Sequence, residues 1–296
     1  MKKRKILFGL SALLFFVASC TEDIVIDLED GTPMIGVDAS FTDEMKHHET
    51  ILSYTAGFYD QEVKMIKGAS VYVTDGIDTF YYHEDVSREG HYLTDLVAGR
   101  KNTLYRLFID VESEGELLHL KAESFMPNNV ESIDSVVVKP FNGGADTVPN
   151  VIFGDTIEWL YPYFMSLPDQ SIVYMPMVTK NDTLLTDTLT QRMVIPVGGY
   201  AGYYINGPEM QAANKEIPIH MFRKSTLRDG DRIHVDLYSI PADYLMYVYS
   251  MIMSSGSNPM MGAPTNVYTN IQPSDRAVGW FLTASVASKS TVFEDR

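Results

Sequence analysis

The sequence predicts an all-β protein that carries one helix near residues 240–255. Apolar and polar side chains alternate with a period of two in residues 69–73 and again in residues 104–111, as in strands with one face on a core. Turn-forming pairs such as Asp75-Gly76 and Asp229-Gly230 separate such runs. A stretch with helical spacing follows late in the chain. Many short strands divided by such turns favour sandwiches or barrels over a doubly wound sheet.

The first segment has the layout of an export signal. Basic residues at positions 2–5 precede an apolar run at positions 6–17, which is shorter than the roughly 20 residues that a membrane span needs. The signal ends in Val17-Ala18-Ser19-Cys20, which resembles the lipobox of bacterial lipoproteins, and Cys20 is the only cysteine. We expect residues 1–19 to be a signal peptide and Cys20 to be lipidated. The alternative is an ordinary secretory signal that ends in a chance cysteine.

The residues after Cys20 predict where the lipid holds the protein. Thr21, Glu22 and Asp23 resemble the surface-export signal described for lipoproteins of the Bacteroidota. An aspartate directly after the cysteine can retain a lipoprotein at the inner membrane, but that position is Thr21. We expect anchoring in the outer membrane with exposure on the cell surface, and residues 20–33 as the lipidated N-terminus and tether. The periplasmic face is the alternative.

The composition excludes several classes of function. The formal net charge is −16, and such an acidic chain repels the phosphates of nucleic acids. The lone cysteine excludes cysteine-rich zinc sites, and no phosphate-binding loop, dinucleotide fingerprint, GxSxG elbow or HExxH helix occurs. Carboxylates and scattered histidines are present, but no spacing among them indicates a metal centre or a catalytic pair. We expect no cofactor, no metal and no enzymatic activity.

A break in the strand pattern divides the chain into two predicted domains. Pro127-Asn128-Asn129 interrupts two strand-like runs. Residues 34–126 have the size of an immunoglobulin-like β-sandwich, and residues 131–296 are predicted to form a larger β-rich domain of sandwich or barrel-like type. Besides the two runs already named, we predict strands at residues 35–41, 50–54, 117–124, 132–139, 171–179, 193–197, 232–239 and 278–286.

The predicted helix has start and stop signals at both ends. Ser239 is a possible N-cap, Pro241 lies in the first turn, and Gly256 would end the helix. Its face rich in tyrosine and methionine either packs against a sheet or forms a ridge that binds a partner. The residues at helical spacing are Leu245, Val248, Tyr249 and Ile252.

A tyrosine- and glycine-rich loop at residues 198–207 is the candidate binding surface. Tyrosine offers a rigid amphipathic contact surface at low entropic cost, and glycine adds flexibility. Together with aromatic residues earlier in the chain, the loop predicts an aromatic platform for a sugar, a peptide or the rim of a partner. The alternative is a bent strand whose aromatic side chains fill the core. The candidate ligand-binding residues are Tyr200, Tyr203, Tyr204, Trp159 and Tyr161, with Tyr163 nearby.

Several short motifs follow one another as they do in one protein family. They are Gly68-Ala69-Ser70-Val71-Tyr72-Val73-Thr74-Asp75, Gly90-His91-Tyr92, Tyr105-Arg106-Leu107, Met126-Pro127, Ile133-Asp134-Ser135, Ser257-Asn258-Pro259 and Pro264-Thr265-Asn266-Val267-Tyr268-Thr269-Asn270-Ile271. On these motifs nearly the whole mature chain resembles the Bacteroidota lipoproteins classed as domain of unknown function 4249. The family's glycine-rich turn before the final strand is replaced here by the sequence of residues 273–279.

The resemblance implies a surface lipoprotein with an N-terminal immunoglobulin-like sandwich and a larger β-rich C-terminal domain. Such proteins are often encoded beside outer-membrane transporters driven by the TonB system, so a TonB-dependent β-barrel is the implied partner. The family has no established catalytic residues to carry over. A non-catalytic ligand-binding or accessory partner of a transporter is the leading prediction. A structural or adhesive surface module is the alternative, and a hydrolase is the third.

Overall fold

The structure of the chain is a computed structural model. It describes residues 33–56, 62–113, 115–140, 151–152, 155–167, 173–186, 195–196, 204–213, 215–255 and 267–295. The signal peptide, Cys20, Thr21, Glu22, Asp23, Tyr200 and Tyr203 lie outside these ranges. What the sequence predicts for them stays a prediction.

Within the described ranges the chain is built mainly of β-strands. The strands are β1 (Ile35–Thr42), β2 (Lys46–Tyr54), β3 (Ser70–Thr74), β4 (Thr79–Glu84), β5 (His91–Val97), β6 (Thr103–Ser113), β7 (Glu116–Met126), β8 (Ser135–Pro140), β9 (Val151–Ile152), β10 (Asp155–Met165), β11 (Val173–Lys180), β12 (Thr183–Leu184), β13 (Ile195–Pro196), β14 (Tyr204–Ile205), β15 (His220–Arg223), β16 (Arg232–Ile240) and β17 (Ala277–Val292). The helices are α1 (Pro208–Ala212), α2 (Tyr244–Ser255) and a 3-10 helix (Lys224–Thr226). The predicted fold class, all-β with a helix near residues 240–255, is confirmed.

Most strands belong to one large sheet in which early and late parts of the chain are neighbours. Its order is β12-β11-β16-β17-β1-β2-β5-β4-β3-β6-β7, and β13 also pairs with β11. Strands β1 and β17 run parallel, with Ile35 opposite Ala277 and Thr42 opposite Ala284. The 16-residue β17 is long enough to pair with β1 through its first half and with β16 through its second half.

The large sheet curls, so that β7 approaches β17. The backbone N–H and the hydroxyl of Thr283 both donate to Ser124 Oγ, at 3.1 and 2.9 Å, and both residues are buried. The curled part encloses a core that contains the fully buried rings of Tyr92 and Tyr105. Ile271, Ala277 and Phe281 belong to the same core. The predicted domain boundary at residues 126–131 stays a prediction. β17 follows this boundary in the sequence, yet it contributes Ala277 and Phe281 to the core built from the residues that precede the boundary.

A second, five-stranded sheet is centred on β10. Strands β14, β15, β8 and β9 all pair with it. Its side chains pack with those of β11 and β16 in a second core, which includes Leu160, Phe164, Tyr174 and Val235. Every predicted strand range overlaps an observed strand, but β4, β5, β10, β15 and the two-residue strands β9, β12 and β14 were not predicted. The longest of the strands that were missed is β10. Both of its faces are largely buried, so it lacks the alternation that reveals a half-exposed strand.

Candidate binding groove between α2 and the large sheet

Helix α2 lies on the large sheet and buries only one of its faces there. Tyr244 and Val248, one turn apart, are buried in a small core with Trp280 of β17 and Met175 of β11. This inner face packs against the sheet, as one of the two predictions for the helix proposed. The outer face leaves four large side chains exposed, namely Met246, Tyr249, Ile252 and Met253.

Trp280 is the centre of an aromatic cluster that holds α2 on the sheet. Its ring stacks on Tyr247 with the centroids 5.2 Å apart and meets Tyr244 edge-on at 5.9 Å. Tyr268, in the segment before β17, approaches the same ring at 5.7 Å. Ser250 Oγ accepts a hydrogen bond from the Tyr268 N–H at 2.9 Å, so the same segment is also tied to the helix.

Two adjoining cavities lie between α2 and the sheet. Their volumes are about 690 and 440 Å³, within the range of about 300–1,000 Å³ typical of ligand pockets. Asp38, Ile51, Tyr247 and Met251 line both cavities, which we therefore treat as one groove, the α2 groove. The larger part is also lined by Met34, Gly36, Val37, Ser53, Thr55, Val267, Ser274, Asp275, Val278 and Gly279. The smaller part is also lined by Ala39, Ser40, Glu49, Met175, Met177, Tyr238, Tyr244, Trp280 and Leu282.

Strand pairing explains why these side chains meet. Asp38 lies opposite Ile51 of β2 and opposite Trp280 of β17, so the three residues form a row across the sheet. Because side chains alternate along a strand, Ser40 faces the same side of β1 as Asp38. The floor of the groove therefore comes from residues that are far apart in sequence.

The charged groups that line the α2 groove are all acidic. They are the carboxylates of Asp38, Glu49 and Asp275, and no lysine, arginine or histidine is among the described lining residues. Glu49 is paired with two residues that do not line the groove. Its Oε1 lies 2.8 Å from an Arg88 guanidinium nitrogen and 2.9 Å from His91 Nδ1. The groove therefore offers hydrogen-bond acceptors and a negative potential.

One hydrogen-bond donor beside the groove is unsatisfied. Trp280 is only 3% exposed, and its indole N–H has no hydrogen-bond partner among the described residues. A buried donor without an acceptor costs about 1–3 kcal/mol. Buried tryptophan N–H groups usually find a partner, but this one is enclosed by the protein and does not open onto the groove.

The described members of the predicted aromatic platform lie in the second sheet. Trp159 is half-buried and Tyr161 fully buried, both on β10, and burial raises the pKa of the Tyr161 hydroxyl. Lys139 Nζ lies 4.7 Å above the Tyr161 ring. The Tyr204 hydroxyl donates to Asp134 at 2.6 Å, which raises its pKa to about 12. None of these residues lines the α2 groove.

Another polar cluster surrounds Tyr163, the neighbour of this platform on β10. Lys139 Nζ donates to the Tyr163 hydroxyl at 3.1 Å and forms an ion pair with Glu216 at 2.5 Å. Gln211 Nε2 also donates to the Tyr163 hydroxyl, at 3.4 Å. Because these side chains satisfy one another, we interpret the cluster as a structural network.

The sequence carried only indirect signals of the α2 groove. The helix was predicted, and Trp280 falls within a predicted strand. Which strand pairs with which cannot be read from alternation, and the floor of the groove depends on the pairing of β1 with β17. The sequence signal that could have indicated the groove was a tryptophan in a predicted strand that follows a tyrosine-rich predicted helix.

Two further properties concern the described residues only. No helix among them is long and apolar enough to cross a membrane. Nor do three or more histidine, cysteine, aspartate or glutamate side chains come together in an arrangement that would hold a metal ion.

Comparisons with known proteins found a matching family and similar solved structures. The model of a family described as "Domain of unknown function (DUF4249)" matches residues 21–290. Among solved structures, the FN1–FN3 domains of chicken CNTN1 are 12% identical, with a TM-score of 0.25 over 72% of this chain and 64% of that chain. This chain thus spans less than two thirds of the length of that structure. No curated protein matches the sequence.

Proposed function

The chain belongs to the family of the domain of unknown function DUF4249, and we propose that it is a non-catalytic ligand-binding protein whose ligand site is the α2 groove. The observation that carries this proposal is the pair of adjoining cavities, of about 690 and 440 Å³, which the stacked rings of Tyr247 and Trp280 wall on the helix side. Aromatic walls with a few convergent polar groups are the usual make-up of small-molecule sites.

We place the protein on the outer face of the outer membrane, held by lipid on Cys20. The lipobox-like end of the signal supports this proposal, as do the acidic residues Glu22 and Asp23 that follow it. Stable anchoring needs more than one acyl chain, which a bacterial lipoprotein carries. A groove exposed to the cell exterior would meet ligands before they enter the cell.

As partner we propose a TonB-dependent β-barrel transporter, to which the chain would deliver its ligand. The family resemblance implies this partner. The exposed outer face of α2 supports the proposal, because apolar side chains grouped on a surface mark protein contacts. This face lies on the same helix that walls the groove, so a transporter bound to it would be next to the bound ligand.

The ligand site is tested with the tagged full chain purified from its native cells and examined by native mass spectrometry. Wild-type protein should carry a small molecule that Ser40→Trp, which fills the floor of the groove, does not carry. Ser135→Trp, on an exposed position of β8, is the matched control and should retain the molecule. Recovery of this molecule without any chemical change would support binding without catalysis. Equal occupancy in wild type and Ser40→Trp would refute the groove as the site.

The anchor and the partner are tested in one fractionation experiment. Cys20→Ser should move the tagged protein from membranes to the soluble fraction, and it should no longer recover a β-barrel transporter after detergent extraction. Protease added to intact cells should cleave the wild-type protein if it faces the exterior. Tight membrane association of Cys20→Ser would contradict the lipid anchor, and full protection from protease would contradict surface exposure.

A further inference from the structure

The α2 groove is long and follows two strands of its floor. The larger part is lined by Gly36 of β1 and Val278 of β17, and the smaller part by Ser40 and Leu282 of the same strands. The members of each pair lie opposite each other in the parallel register, and four residue steps separate the two pairs. Four steps along a strand span about 13 Å. The groove therefore suits a rod-shaped ligand, whereas a compact ring would fill only one of its two parts.

The walls of the groove are mainly apolar and can adapt to a ligand. Val278, Trp280 and Leu282, at alternate positions of β17, provide one side of the floor. Unbranched thioether side chains fill irregular space and change shape easily, so methionines suit a flexible ligand. The methionines that line the groove are Met34, Met175, Met177 and Met251.

A ligand rich in polar groups would find few partners in this groove. Among the described lining residues there is no lysine, arginine, histidine, asparagine or glutamine. The Trp280 N–H is enclosed by the protein, so hydroxyl groups are the side-chain donors that remain. Polar groups that leave water without gaining new hydrogen bonds weaken binding. Ligands with many hydroxyl or amide groups are therefore disfavoured.

The backbone of the floor is already paired. β1 lies between β2 and β17 and is paired with both strands within the sheet. A peptide laid along the groove could not join β1 as a further strand, so its own amide groups would lack partners. An alkyl chain has the same extended shape and no polar groups to satisfy.

The charges at the groove bear on the polar end of such a ligand. Glu49 is already paired with Arg88 and His91. The other charged lining residues are Asp38 and Asp275, both at exposed positions. Exposed carboxylates act on a nearby ion only modestly. An anionic head group beside them would be repelled to that modest extent, whereas an uncharged or cationic one would not.

We infer that the ligand of the α2 groove, whose existence rests on the proposed function, is the alkyl or acyl chain of an amphiphile whose head group is not anionic. The chain lies along β1 and β17 beneath α2, and the head group extends into solvent. Each methylene group that leaves water for an apolar site tightens binding up to about fourfold. Affinity therefore rises with chain length until the groove is filled.

A homologous series of alkyl glucosides tests this inference. The tagged full chain is extracted in cholate, which has no long alkyl chain, captured on a sensor surface and washed free of detergent. Glucose and the hexyl, octyl and decyl glucosides are then passed over it below their critical micelle concentrations. Glucose should not bind, and each two added methylene groups should tighten binding about tenfold. Decyl sulfate should bind about fivefold more weakly than decyl glucoside.

Two methionine substitutions locate the bound chain. Met251 lines both parts of the groove, so Met251→Glu places a carboxylate at their junction and should weaken decyl glucoside at least about tenfold. Met221→Glu makes the same change at an exposed position of β15 and should leave the affinity unchanged. Ser40→Trp, with its control Ser135→Trp, gives a second test, and circular dichroism checks that each variant is folded.

The outcomes separate the ligand class from the site itself. If the glucosides bind no better than glucose while Ser40→Trp still loses the molecule that copurifies with wild type, the inference is wrong and the groove remains the ligand site. Tighter binding of decyl sulfate than of decyl glucoside also overturns the inference. Equal affinity of decyl glucoside for wild type, Met251→Glu and Ser40→Trp would mean that the chain binds elsewhere. If Ser40→Trp then also retains the copurifying molecule, both the inference and the proposed site are wrong.

Discussion

The side chain of Asn270 is hydrogen-bonded in both directions to the backbone of Phe281. The Phe281 N–H donates to Asn270 Oδ1, and Asn270 Nδ2 donates to the Phe281 carbonyl, each at 2.9 Å. The same Nδ2 also reaches the Glu123 carbonyl of β7 at 3.2 Å. β16 pairs with β17 only from Ser285 onward, so the carboxamide occupies the edge of β17 where a strand is missing. This gives a structural role to the motif that ends in Asn270-Ile271.

Replacing Asn270 by alanine should cost about 3 kcal/mol of unfolding free energy. The N–H and carbonyl of Phe281, a fully buried residue, would lose their partner, and unsatisfied buried backbone groups cost about 1–3 kcal/mol each. Urea denaturation followed by circular dichroism measures the change. Gln272→Ala, an exposed position in the same segment, is the control and should lie within about 0.5 kcal/mol of wild type. Equal losses in both variants would contradict the role of the carboxamide.

At Gly279 of β17 the backbone of β1 leaves no room for a side chain, so alanine there should be severely destabilising. Its φ is +111°, and an added Cβ would collide with the backbone carbonyl of Val37. Gly76, with φ +88° and nothing within 4 Å of an added Cβ, provides a control that isolates the cost of the backbone conformation. We expect about 1–2 kcal/mol for Gly76→Ala and more than about 4 kcal/mol for Gly279→Ala. Similar denaturation midpoints for the two variants would show that the close approach does not matter.

Much of the strand content could be predicted because half-buried strands show a clear alternation in sequence. β6 and β7 alternate almost perfectly between buried positions and partly or fully exposed ones, and both were predicted. β10 carries bulky apolar side chains on both faces, so its period is lost. The parallel pairing of β1 with β17 joins residues about 240 positions apart, and no local pattern encodes such a partner.

The candidate site was harder to predict because its residues, like β1 and β17, are far apart in the sequence. Tyrosines grouped in sequence at residues 198–207 suggested a binding loop, whereas Trp280, Asp38 and Tyr247 meet only after the sheet has formed. The helix was predicted with its aromatic face, but the identity of the opposite wall depends on strand order. Local composition indicates which side chains suit binding, and topology decides which of them share a cavity.

Asn206, within the tyrosine-rich stretch of residues 198–207, is hydrogen-bonded to β10 and to the segment before β15. Its side-chain Nδ2 donates to the carbonyls of Pro162 and Ile217 at 2.7 and 3.0 Å, and its Oδ1 accepts the Ile217 N–H at 2.6 Å. Its φ is +59°, a conformation that glycine adopts without strain. Asn206→Gly and Asn206→Ala should both lose about 3 kcal/mol from the broken hydrogen bonds, and alanine about 1 kcal/mol more from strain. Urea denaturation would contradict this account if alanine were the more stable of the two.

His48 should make the protein less stable as the pH falls from about 6.5 to about 4. Its ring is buried, and Nδ1 accepts the Thr42 N–H at 3.3 Å, so the neutral ring carries its proton on Nε2 and donates to the Val97 carbonyl at 3.1 Å. Burial, together with the charge of Lys46, lowers the pKa of His48 to about 4. Below pH 6.5 the unfolded chain takes up a proton that the folded protein does not bind, so unfolding becomes easier until the folded pKa is reached.

The expected loss from this one group is about 1.4 kcal/mol per pH unit, or about 3 kcal/mol over the whole interval. Urea denaturation at half-unit steps from pH 7.5 to 4 measures it, with the wild-type slope compared with that of His48→Gln. The glutamine side chain cannot be protonated, so this variant starts less stable but declines less steeply. His83→Gln, at an exposed position, controls for the removal of a histidine and should keep the wild-type slope. Parallel declines in wild type and His48→Gln would mean that the acid sensitivity comes from other groups, such as the half-buried His220, whose pKa is also lowered by desolvation.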